Sequence, residues 1–320
     1  MSEDYMSEKK IIAVVGASGA QGGGLVRAIL NDPNGGFRAR AITRDVNSDK
    51  MKALAKMGAE IVAADVNDLE SLKRAFKGAY GVYCVTFFWA DLSPENEIAQ
   101  ATAMAHAAKD AGVQHAIWST FEDTRKWVPL TDNRMPTLMG KYKVAHFDAK
   151  SEADHVFMDL GVPTTFLLTS FYWENLIYGV GPKKGPDGKL AITFPMGDKK
   201  LPGMASEDIG KCAYGIFKRG REFIGKTVGV AGEHLTGTQM AAALTKALGQ
   251  EVRYNEVSPD MFRSFGFPGA DDWGNMFQFK RDFEQIYCGA RNLGVSRSLN
   301  PSLQTFEEWL GQNKNRIPLG

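Results

Sequence analysis

The feature that most constrains the fold is a regular alternation of short β-rich runs and amphipathic stretches of helical length over the first 120 residues. Ile11–Val15 is apolar throughout, as expected of a strand buried on both faces, and Gln21–Asn31 follows it as a helix. Further strands are predicted at Arg38–Thr43, Glu60–Ala64, Gly81–Thr86 and His115–Ser119, and helices at Asp49–Met57, Asn67–Lys77 and Pro94–Gly112. This alternation predicts right-handed βαβ units, with ligands beyond the carboxyl ends of parallel strands.

The second half of the chain is less regular. Residues 121–140 contain prolines and charges without periodicity, so we expect a mobile loop there. Further elements are predicted as a helix at Lys141–Leu160, a strand at Pro163–Phe171, a turn at Pro186-Asp187-Gly188, a core strand at Lys226–Ala231 and a helix at Gly237–Leu248.

These patterns predict an α/β protein with a Rossmann-type doubly wound parallel sheet and a smaller mixed α/β C-terminal lobe. We expect the Rossmann domain at residues 1–171, with 205–232 returning to it. Residues 172–204, rich in Gly, Pro and Lys, and residues 233–320, where aromatic and polar residues mix, form the predicted smaller lobe.

A glycine-rich loop joins the first strand to the first helix. It reads Gly16-Ala17-Ser18-Gly19-Ala20-Gln21-Gly22, a GxxGxxG pattern. The first glycine permits a tight turn, the second lets backbone N–H groups approach a pyrophosphate, and the third lets the helix pack closely on the strand. The helix N-terminus adds partial positive charge for the phosphates. We therefore predict a dinucleotide site; the alternative is a simple glycine-rich turn.

The end of the second strand indicates which dinucleotide binds. An acidic residue there would bind the ribose 2′-hydroxyl of NAD, but this strand closes with Thr43-Arg44. A guanidinium suits a 2′-phosphate better than a hydroxyl, so we predict NADP(H) in preference to NAD(H). The alternative is that Arg44 is a solvated surface arginine.

Two further strand ends supply candidate cofactor contacts. Asp65 and Val66 follow the third strand, where a Rossmann domain meets the adenine ring, although Asp65 is equally consistent with an exposed loop. Thr86, Phe87 and Phe88 follow the fourth strand and are predicted to run along the central portion of the cofactor. The two phenylalanines are equally consistent with core packing.

Composition excludes several functional classes. The chain has 38 Lys and Arg against 37 Asp and Glu, so no basic stripe indicates direct binding of nucleic acid or an acidic membrane. Cys84, Cys212 and Cys288 lie far apart, which predicts free thiols in a reducing compartment and no metal site. The start, MSEDYMSEKK, lacks the apolar run of a secretory signal. We expect a cytoplasmic protein, with nuclear entry neither indicated nor excluded.

Several longer stretches resemble one family. They are GASGAQGG at 16–23, GAEIVAAD at 58–65, HFDAKSEADHVF at 146–157, FYWENL at 171–176, PDGK at 186–189 and GFPGADDWGNMFQF at 266–279. On these residues the chain resembles the NmrA-like family of atypical short-chain dehydrogenase/reductases. The resemblance implies a Rossmann domain with a small C-terminal lobe, a cleft between the two, and a cofactor bound for sensing.

Individual site residues also follow from the resemblance. It implies that Arg44 contacts the 2′-phosphate and that Lys150 contacts the nicotinamide ribose. The segment Tyr172-Trp173-Glu174-Asn175 would close over the nicotinamide end, with Tyr172 and Asn175 as contacts. Where animal relatives carry a further cofactor lysine, this chain has Ala99 or a neighbour.

The usual proton donor of these reductases is missing. Typical members use a Tyr-x-x-x-Lys pair one helical turn apart and a serine at the end of the fifth strand. This chain keeps Ser119 and Lys150, but His146 stands four residues before the lysine. Tyr142 lies two turns away on the predicted helix, about 12 Å at a rise of 1.5 Å per residue, too far to substitute.

Two functional hypotheses remain. In the first, Lys150 only anchors the ribose, and the protein is a regulator whose shape reports NADP(H) to a protein partner. In the second, it is an NADPH-dependent reductase of a small carbonyl or enone, with His146 or Lys150 as the acid. The alternative for His146 is a packing histidine. The sequence is consistent with a monomer or a homodimer.

Overall fold

The computed structural model describes residues 9–185 and 187–320. Thus the expectations on residues 1–8, and on Pro186 in the predicted turn, lie outside the described residues. The strands are β1 Lys10–Val14, β2 Phe37–Thr43, β3 Glu60–Ala63, β4 Gly81–Cys84, β5 His115–Thr120, β6 Thr164–Leu168, β7 Phe171–Tyr172, β8 Lys183–Lys184, β9 Leu190–Thr193, β10 Lys200–Met204, β11 Thr227–Gly229, β12 Glu233–Thr236 and β13 Val252–Asn255. The helices are α1 Ala20–Leu30, α2 Asp49–Lys56, α3 Leu69–Phe76, α4 Pro94–Asp110, α5 Ala145–Asp159, α6 Asn175–Tyr178, α7 Ser206–Arg219, α8 Gly237–Leu248, α9 Pro259–Arg263, α10 Ala270–Asp282, α11 Glu284–Gly289, α12 Leu293–Leu299 and α13 Phe306–Asn313.

A seven-stranded sheet forms the centre of the molecule. Its order is β11-β6-β5-β4-β1-β2-β3, and every neighbouring pair is parallel. The chain leaves β1 toward β2 on one side and returns to β4 on the other, so the strand order reverses between β1 and β4. In such sheets a crevice opens beyond the carboxyl ends at this reversal. The predicted Rossmann-type sheet is confirmed.

Alternating side chains of these strands supply two apolar layers. Ile12, Val14 and Tyr83 face α1 and α7, whereas Ala13 and Trp118 belong to the layer under α3, α4 and α5. Since successive residues of a strand point to opposite faces, a strand covered on both sides must be apolar at nearly every position. This requirement explains the continuous apolar run of β1 (burial is complete from Ile11 to Val14).

Two glycines allow α1 and α7 to pack with their backbones in contact. A Cβ on Gly24 would lie 2.5 Å from the carbonyl oxygen of Glu207, and one on Gly210 would lie 2.1 Å from the amide nitrogen of Leu25. Real Cβ atoms do not approach other atoms so closely. Residues 205–219 are thereby held against the helix that follows the glycine-rich loop.

The remaining elements form a smaller mixed α/β lobe. One three-stranded sheet has the order β12-β10-β7 and another has the order β13-β9-β8. Their common core is rich in large buried side chains, among them Trp173, Phe194, Phe277, Phe306 and Trp309. Most of the C-terminal aromatics therefore pack in a core, although Phe265 and Phe267 remain exposed. None of the described helices is both long and apolar enough to cross a membrane.

Two predicted elements differ from the structure. The helix expected from Lys141 begins at Ala145, because the Asp148 carboxylate accepts hydrogen bonds from the amides of Lys143 (2.8 Å) and Val144 (3.2 Å). The single strand expected at Pro163–Phe171 is divided: β6 stays in the large sheet, and β7 pairs with β10 in the smaller one.

The segment 121–140, expected to be a mobile loop, contains no α-helix or β-strand, and side chains from elsewhere in the chain bind its backbone. The ammonium of Lys143 donates to the carbonyl oxygens of Asp132 (2.7 Å) and Met135 (2.8 Å). From α10, the amide of Gln278 donates to the Arg134 carbonyl at 2.7 Å, and that of Asn275 to the Pro136 carbonyl at 2.9 Å. Because buried side chains bind its backbone carbonyls, the segment is anchored although its only regular structure is the 3-10 turn Thr124–Lys126.

The glycine contact between α1 and α7 predicts a selective loss of stability. Gly210→Ala forces the two helices apart and is expected to lower the free energy of unfolding by about 1 to 3 kcal/mol, despite the better helix propensity of alanine. Gly311→Ala is the matched control, because Gly311 lies in α13 with open space around it. Urea denaturation measures both, and equal stability of the two variants would contradict the close packing.

Candidate functional site

The glycine-rich loop lies beyond the carboxyl end of β1, at the reversal of strand order. Gly16 has a φ of +67°, a conformation that L side chains rarely adopt. A Cβ on Gly22 would lie 2.5 Å from the Gly16 carbonyl oxygen, so α1 begins directly against the turn. Ala17 is buried, Ser18 is half-buried, and Gly19 and Ala20 are exposed at the start of α1. The start of α1 is therefore exposed, at the edge of the sheet where a crevice is expected.

Gln21, on the first turn of α1, connects four elements of the structure. Its amide nitrogen donates to the Tyr172 hydroxyl of β7 at 2.5 Å, and its carbonyl oxygen accepts from the Tyr83 hydroxyl of β4. The same oxygen accepts a hydrogen bond of 3.0 Å from Ser119 of β5. Burial raises the pKa of Tyr172 to about 12, so this phenol is neutral near pH 7. The glycine-rich loop is thus hydrogen-bonded to the smaller lobe.

Arg44 and Asp65 lie at the ends of β2 and β3. The Arg44 side chain is exposed and makes no hydrogen bond or ion pair with the rest of the described chain. Asp45 is turned toward its own loop, where its carboxylate accepts from the Asn47 amide at 2.9 Å. The Asp65 carboxylate likewise accepts from the Asn67 backbone at 2.9 Å, and half-buried Val66 packs on the core beneath α3 and α4. Of these residues, Arg44 has the charge free for a ligand.

Lys150 is held in a buried polar cluster past the end of β4. Its ammonium donates to the Thr86 hydroxyl at 2.5 Å and forms an ion pair with Glu97 of α4. The Thr86 hydroxyl also donates to Glu97, whose side chain is 1% exposed. The sequence analysis did not single out Glu97, because the run Pro94-Glu95-Asn96-Glu97 is typical of the acidic first turn of a helix. Beside this cluster, Phe87 is exposed and Phe88 is buried.

His146 is buried at the start of α5, one turn before Lys150. Its Nδ1 hydrogen-bonds the carboxylate of Asp272, from the first turn of α10, and the other oxygen of that carboxylate accepts from the Ala145 amide at 2.5 Å. The imidazole packs on the Trp89 ring at 4.9 Å and on the Phe147 ring at 4.7 Å. Its Nε2 forms no hydrogen bond within the described chain. A carboxylate on Nδ1 orients the ring and leaves Nε2 for a ligand.

Ser119 does not lie beside Lys150 and His146. Its hydroxyl faces Gln21 on α1, whereas the adjacent strand residues Trp118 and Thr120 donate to Asp154 of α5. Since alternate strand residues point to opposite faces, Ser119 is on the sheet face opposite α5. Tyr142, which precedes α5, is also separate: it is buried against Phe88. The structure brings together Lys150 and His146, but not Ser119.

The segment after β6 is fixed to the smaller lobe. Trp173 is buried, and the Glu174 carboxylate accepts from the Ser206 amide at 3.0 Å and from the Trp309 indole at 3.1 Å. Asn175 is half-buried at the start of α6. Of this segment, only Tyr172 is hydrogen-bonded to the glycine-rich loop.

A second group of buried charges lies past the ends of β5 and β6. Arg291 forms a two-pronged ion pair with Glu122 (2.6 and 3.0 Å) and donates to the Thr169 carbonyl at 2.8 Å. The Lys280 ammonium lies 5.5 Å from the Phe147 ring and 5.2 Å from the Tyr287 ring. Burial, reinforced by the Arg291 cation, lowers the pKa of Lys280 to about 7. Nothing in the sequence marked this lysine.

Comparison with known proteins identifies the family. Residues 8–310 match the profile of the NmrA-like family. The chain belongs to this family. Among curated NmrA-like relatives, the oxidoreductase FrzB of Cladobotryum sp. is 29% identical over 287 residues, which cover 84% of this chain and 83% of that protein. An NmrA-like family domain-containing protein of Dictyostelium discoideum is 28% identical over 317 residues, covering 95% and 97%.

Solved structures with the same fold superpose on nearly the whole length of this chain. NmrA, a negative transcriptional regulator solved in complex with NADP, superposes with a TM-score of 0.77 at 24% identity, covering 95% of each chain. The Citrobacter sp. triphenylmethane reductase, solved with NADP(H), has a TM-score of 0.71 at 20% identity and covers 95% of this chain and 99% of its own. Both similarities establish the fold. Within the described residues, no group of three or more His, Cys, Asp and Glu side chains is arranged to hold a metal ion.

The lowered pKa of Lys280 predicts a pH-dependent difference in stability between the natural chain and a variant without this lysine. Its pKa is about 7 in the folded chain against an ordinary value of 10.5, so the unfolded chain binds more protons between pH 7 and 10.5. Lys280→Met is therefore expected to raise the free energy of unfolding by about 2 to 4 kcal/mol at pH 7, with the advantage shrinking as pH rises toward 10.

Urea denaturation at pH 7, 8 and 9 measures this difference. Lys56→Met is the matched control, since Lys56 is exposed at the end of α2 and its replacement should change stability by less than about 0.5 kcal/mol at every pH. A constant difference between Lys280→Met and the natural chain across this range would show that the lysine is not held in the unprotonated form.

Proposed function

We propose that this NmrA-like chain binds NADP(H) and acts as a regulator whose conformation follows the bound cofactor. The exposed first amides of α1 would take the pyrophosphate, and Arg44 would take the 2′-phosphate. The solved NADP complexes of NmrA and of triphenylmethane reductase, which share this fold, support the choice of cofactor.

The regulatory role is supported by one observation: side chains that would contact the cofactor already make hydrogen bonds to other parts of the protein. Gln21 hydrogen-bonds Tyr172 of the smaller lobe, and Lys150 pairs with Glu97. A dinucleotide along the crevice competes for these same donors. Cofactor binding therefore exchanges contacts within the protein for contacts with ligand, which couples occupancy to the position of the lobe. A protein partner that prefers one conformation would then respond to NADP(H).

The role of Arg44 is tested by charge reversal. Arg44→Glu places a carboxylate where the 2′-phosphate would bind, so NADPH affinity is expected to fall by at least about a hundredfold while NADH affinity holds or rises. Isothermal titration calorimetry with both cofactors measures this. Arg38→Glu, on the same strand, is the comparison variant. An unchanged preference between the two cofactors would refute the assignment.

The conformational response is tested by hydrogen–deuterium exchange with and without saturating NADPH. We expect altered exchange in β7, which contains Tyr172, and in α6, which follows it. We also expect it in the first turn of α10, where Asp272 binds His146. Arg44→Glu at the same NADPH concentration is the control and should give the cofactor-free pattern. Identical exchange in these segments with and without NADPH would remove the regulatory proposal.

One observation favours a second candidate, an NADPH-dependent reductase of a small carbonyl or enone. His146 stands one helical turn before Lys150, the position of the usual donor tyrosine, and Asp272 holds its Nδ1. When both ring nitrogens are protonated, a histidine oriented in this way can donate the Nε2 proton to a carbonyl oxygen as hydride arrives at carbon, and the neutral imidazole keeps its Nδ1–H on Asp272. Several relatives, including FrzB, are named oxidoreductases.

The two candidates are separated by NADPH consumption at 340 nm against a panel of small aldehydes, ketones and enones. If the chain is a reductase, Asp272→Asn is expected to lower kcat by about ten- to a hundredfold, because the imidazole loses the carboxylate that orients it. Asp271→Asn is the control, since Asp271 is exposed on the same turn. Turnover that Asp272→Asn leaves unaltered would exclude His146 as the donor.

A further inference from the structure

Glu97 is a buried carboxylate to which the proposed function gives no role in choosing a ligand. In its ion pair with Lys150, the side chains are 1% and 8% exposed. The lysine ammonium donates to Glu97 and, at 2.5 Å, to the Thr86 hydroxyl, which itself donates to Glu97. The charge of Glu97 therefore offsets that of Lys150 in a place with little water, where charges interact strongly.

The order of the strands indicates which end of a bound dinucleotide lies near this pair. In the proposed complex, Arg44 at the end of β2 takes the 2′-phosphate, and the glycine-rich loop after β1 takes the pyrophosphate. β4 lies on the opposite side of β1 from β2, and β5 lies next to β4. The nicotinamide half would therefore extend over the ends of β4 and β5. Thr86 follows β4, so the Glu97–Lys150 pair lies on the nicotinamide side.

The two redox forms of this cofactor differ in charge at the nicotinamide end. The ring is a cation in NADP+ and is neutral in NADPH, because the hydride that it accepts cancels the positive charge. A net charge close to the ring therefore changes the affinity for NADP+ more than the affinity for NADPH. A lone Lys150 ammonium would repel the oxidised ring, whereas an ammonium paired with a carboxylate adds no net charge.

We propose that Glu97 is a specificity-determining residue that lets the site bind the oxidised cofactor as well as the reduced one. It neutralises Lys150 and still leaves one N–H of the ammonium for a ligand, since within the described chain this group makes only the hydrogen bonds to Thr86 and Glu97. Without the carboxylate, the site would favour NADPH. This inference rests on the proposed binding of NADP(H) and adds to it the choice between redox forms.

A purely structural role of the ion pair makes a different prediction. If Glu97 only held Lys150 in place, its loss would weaken the contact of the lysine with the ribose, which is the same group in NADP+ and NADPH. Both affinities would then fall by the same factor. The ratio of the two dissociation constants therefore distinguishes an effect of charge from an effect of position.

The test is calorimetric titration of NADP+ and NADPH into the full chain and into Glu97→Gln, at pH 6.5. A moderately low pH helps a lysine without its carboxylate partner to keep its proton. Glu97→Gln keeps the shape of the side chain and removes its charge, so the affinity for NADP+ relative to NADPH is expected to fall about tenfold.

Two further variants serve as controls at the same pH. Glu95→Gln makes the same change of charge at an exposed position on the same turn of α4, so the ratio of the two dissociation constants should stay that of the natural chain. Glu97→Asp keeps the charge with a shorter side chain. It should keep the ratio, even where the shorter reach toward Lys150 weakens the binding of both forms.

A change at the other member of the pair keeps the inference testable if Glu97→Gln does not fold. Lys150→Gln leaves the carboxylate without its cation, so both affinities should fall while the affinity for NADP+ relative to NADPH rises about tenfold. This variant and the natural chain are compared at pH 8, because a carboxylate without its partner is ionised more completely at higher pH.

The outcomes separate this inference from the proposed function. The role of Glu97 is overturned if Glu97→Gln has the ratio of the natural chain, or if Glu97→Asp changes the ratio as much as Glu97→Gln does. With Glu97→Gln unfolded, an unchanged ratio in Lys150→Gln overturns it. In each of these cases the natural chain still binds NADP(H), so the proposed function stands. A natural chain that binds neither form would overturn the proposed function and this inference together.

Discussion

The close approach of α1 to the turn after β1 is the constraint on which the rest of this structure depends. Gly22 lies so near the Gly16 carbonyl that no side chain fits between them, and Gly24 brings the same helix against α7. The start of α1 is therefore fixed at the point where the strand order reverses. Gln21 projects from that fixed turn, which is why one amide can connect β4, β5 and β7.

Buried polar pairs then define the site around this turn. Lys150 pairs with Glu97, Arg291 with Glu122, and His146 with Asp272, and in each pair both side chains are less than a tenth exposed. Removing one partner of such a pair leaves an uncompensated buried charge and costs about 3 to 5 kcal/mol. These pairs therefore favour one arrangement of the strand ends over alternatives. Lys280, buried beside the Arg291–Glu122 pair, forms no ion pair with any residue that the structure describes.

The smaller lobe covers this site through polar contacts and through a shared apolar core, since Val144 and Phe147 belong to the same buried cluster as Phe277 and Phe279. Asp272 reaches His146, Asn275 and Gln278 bind the segment 121–140, and Tyr172 reaches Gln21. The same contacts suit a sensor, in which the lobe responds to cofactor, and a reductase, in which it orients the proton donor.

The features that could be predicted from the sequence are those set by residues close to one another in the chain. The alternation of strand and helix periods, the GxxGxxG turn and the arginine after the second strand each depend on neighbouring residues, and the Rossmann-type fold is confirmed from them. The start of α5 was predicted wrongly, and the anchoring of the segment 121–140 was missed, for the converse reason. Their conformation is set by Asn275 and Gln278, more than a hundred residues away, and by Asp148 reaching back to the chain before the helix.

The arrangement of the site was decided by tertiary structure. Gln21 and Tyr172 are 151 residues apart, His146 and Asp272 are 126 apart, and Lys150 and Glu97 are 53 apart. Residue type shows that a glutamate or lysine needs a partner when buried, but not whether it is buried or which partner it meets. Sequence by itself therefore determined the sheet, the glycine-rich turn and the charge at the end of β2. Packing of the lobe on the sheet decided which polar groups are satisfied and which, like the Tyr287 hydroxyl, have no hydrogen-bond partner among the described residues, because that depends on surfaces brought together only in the folded chain.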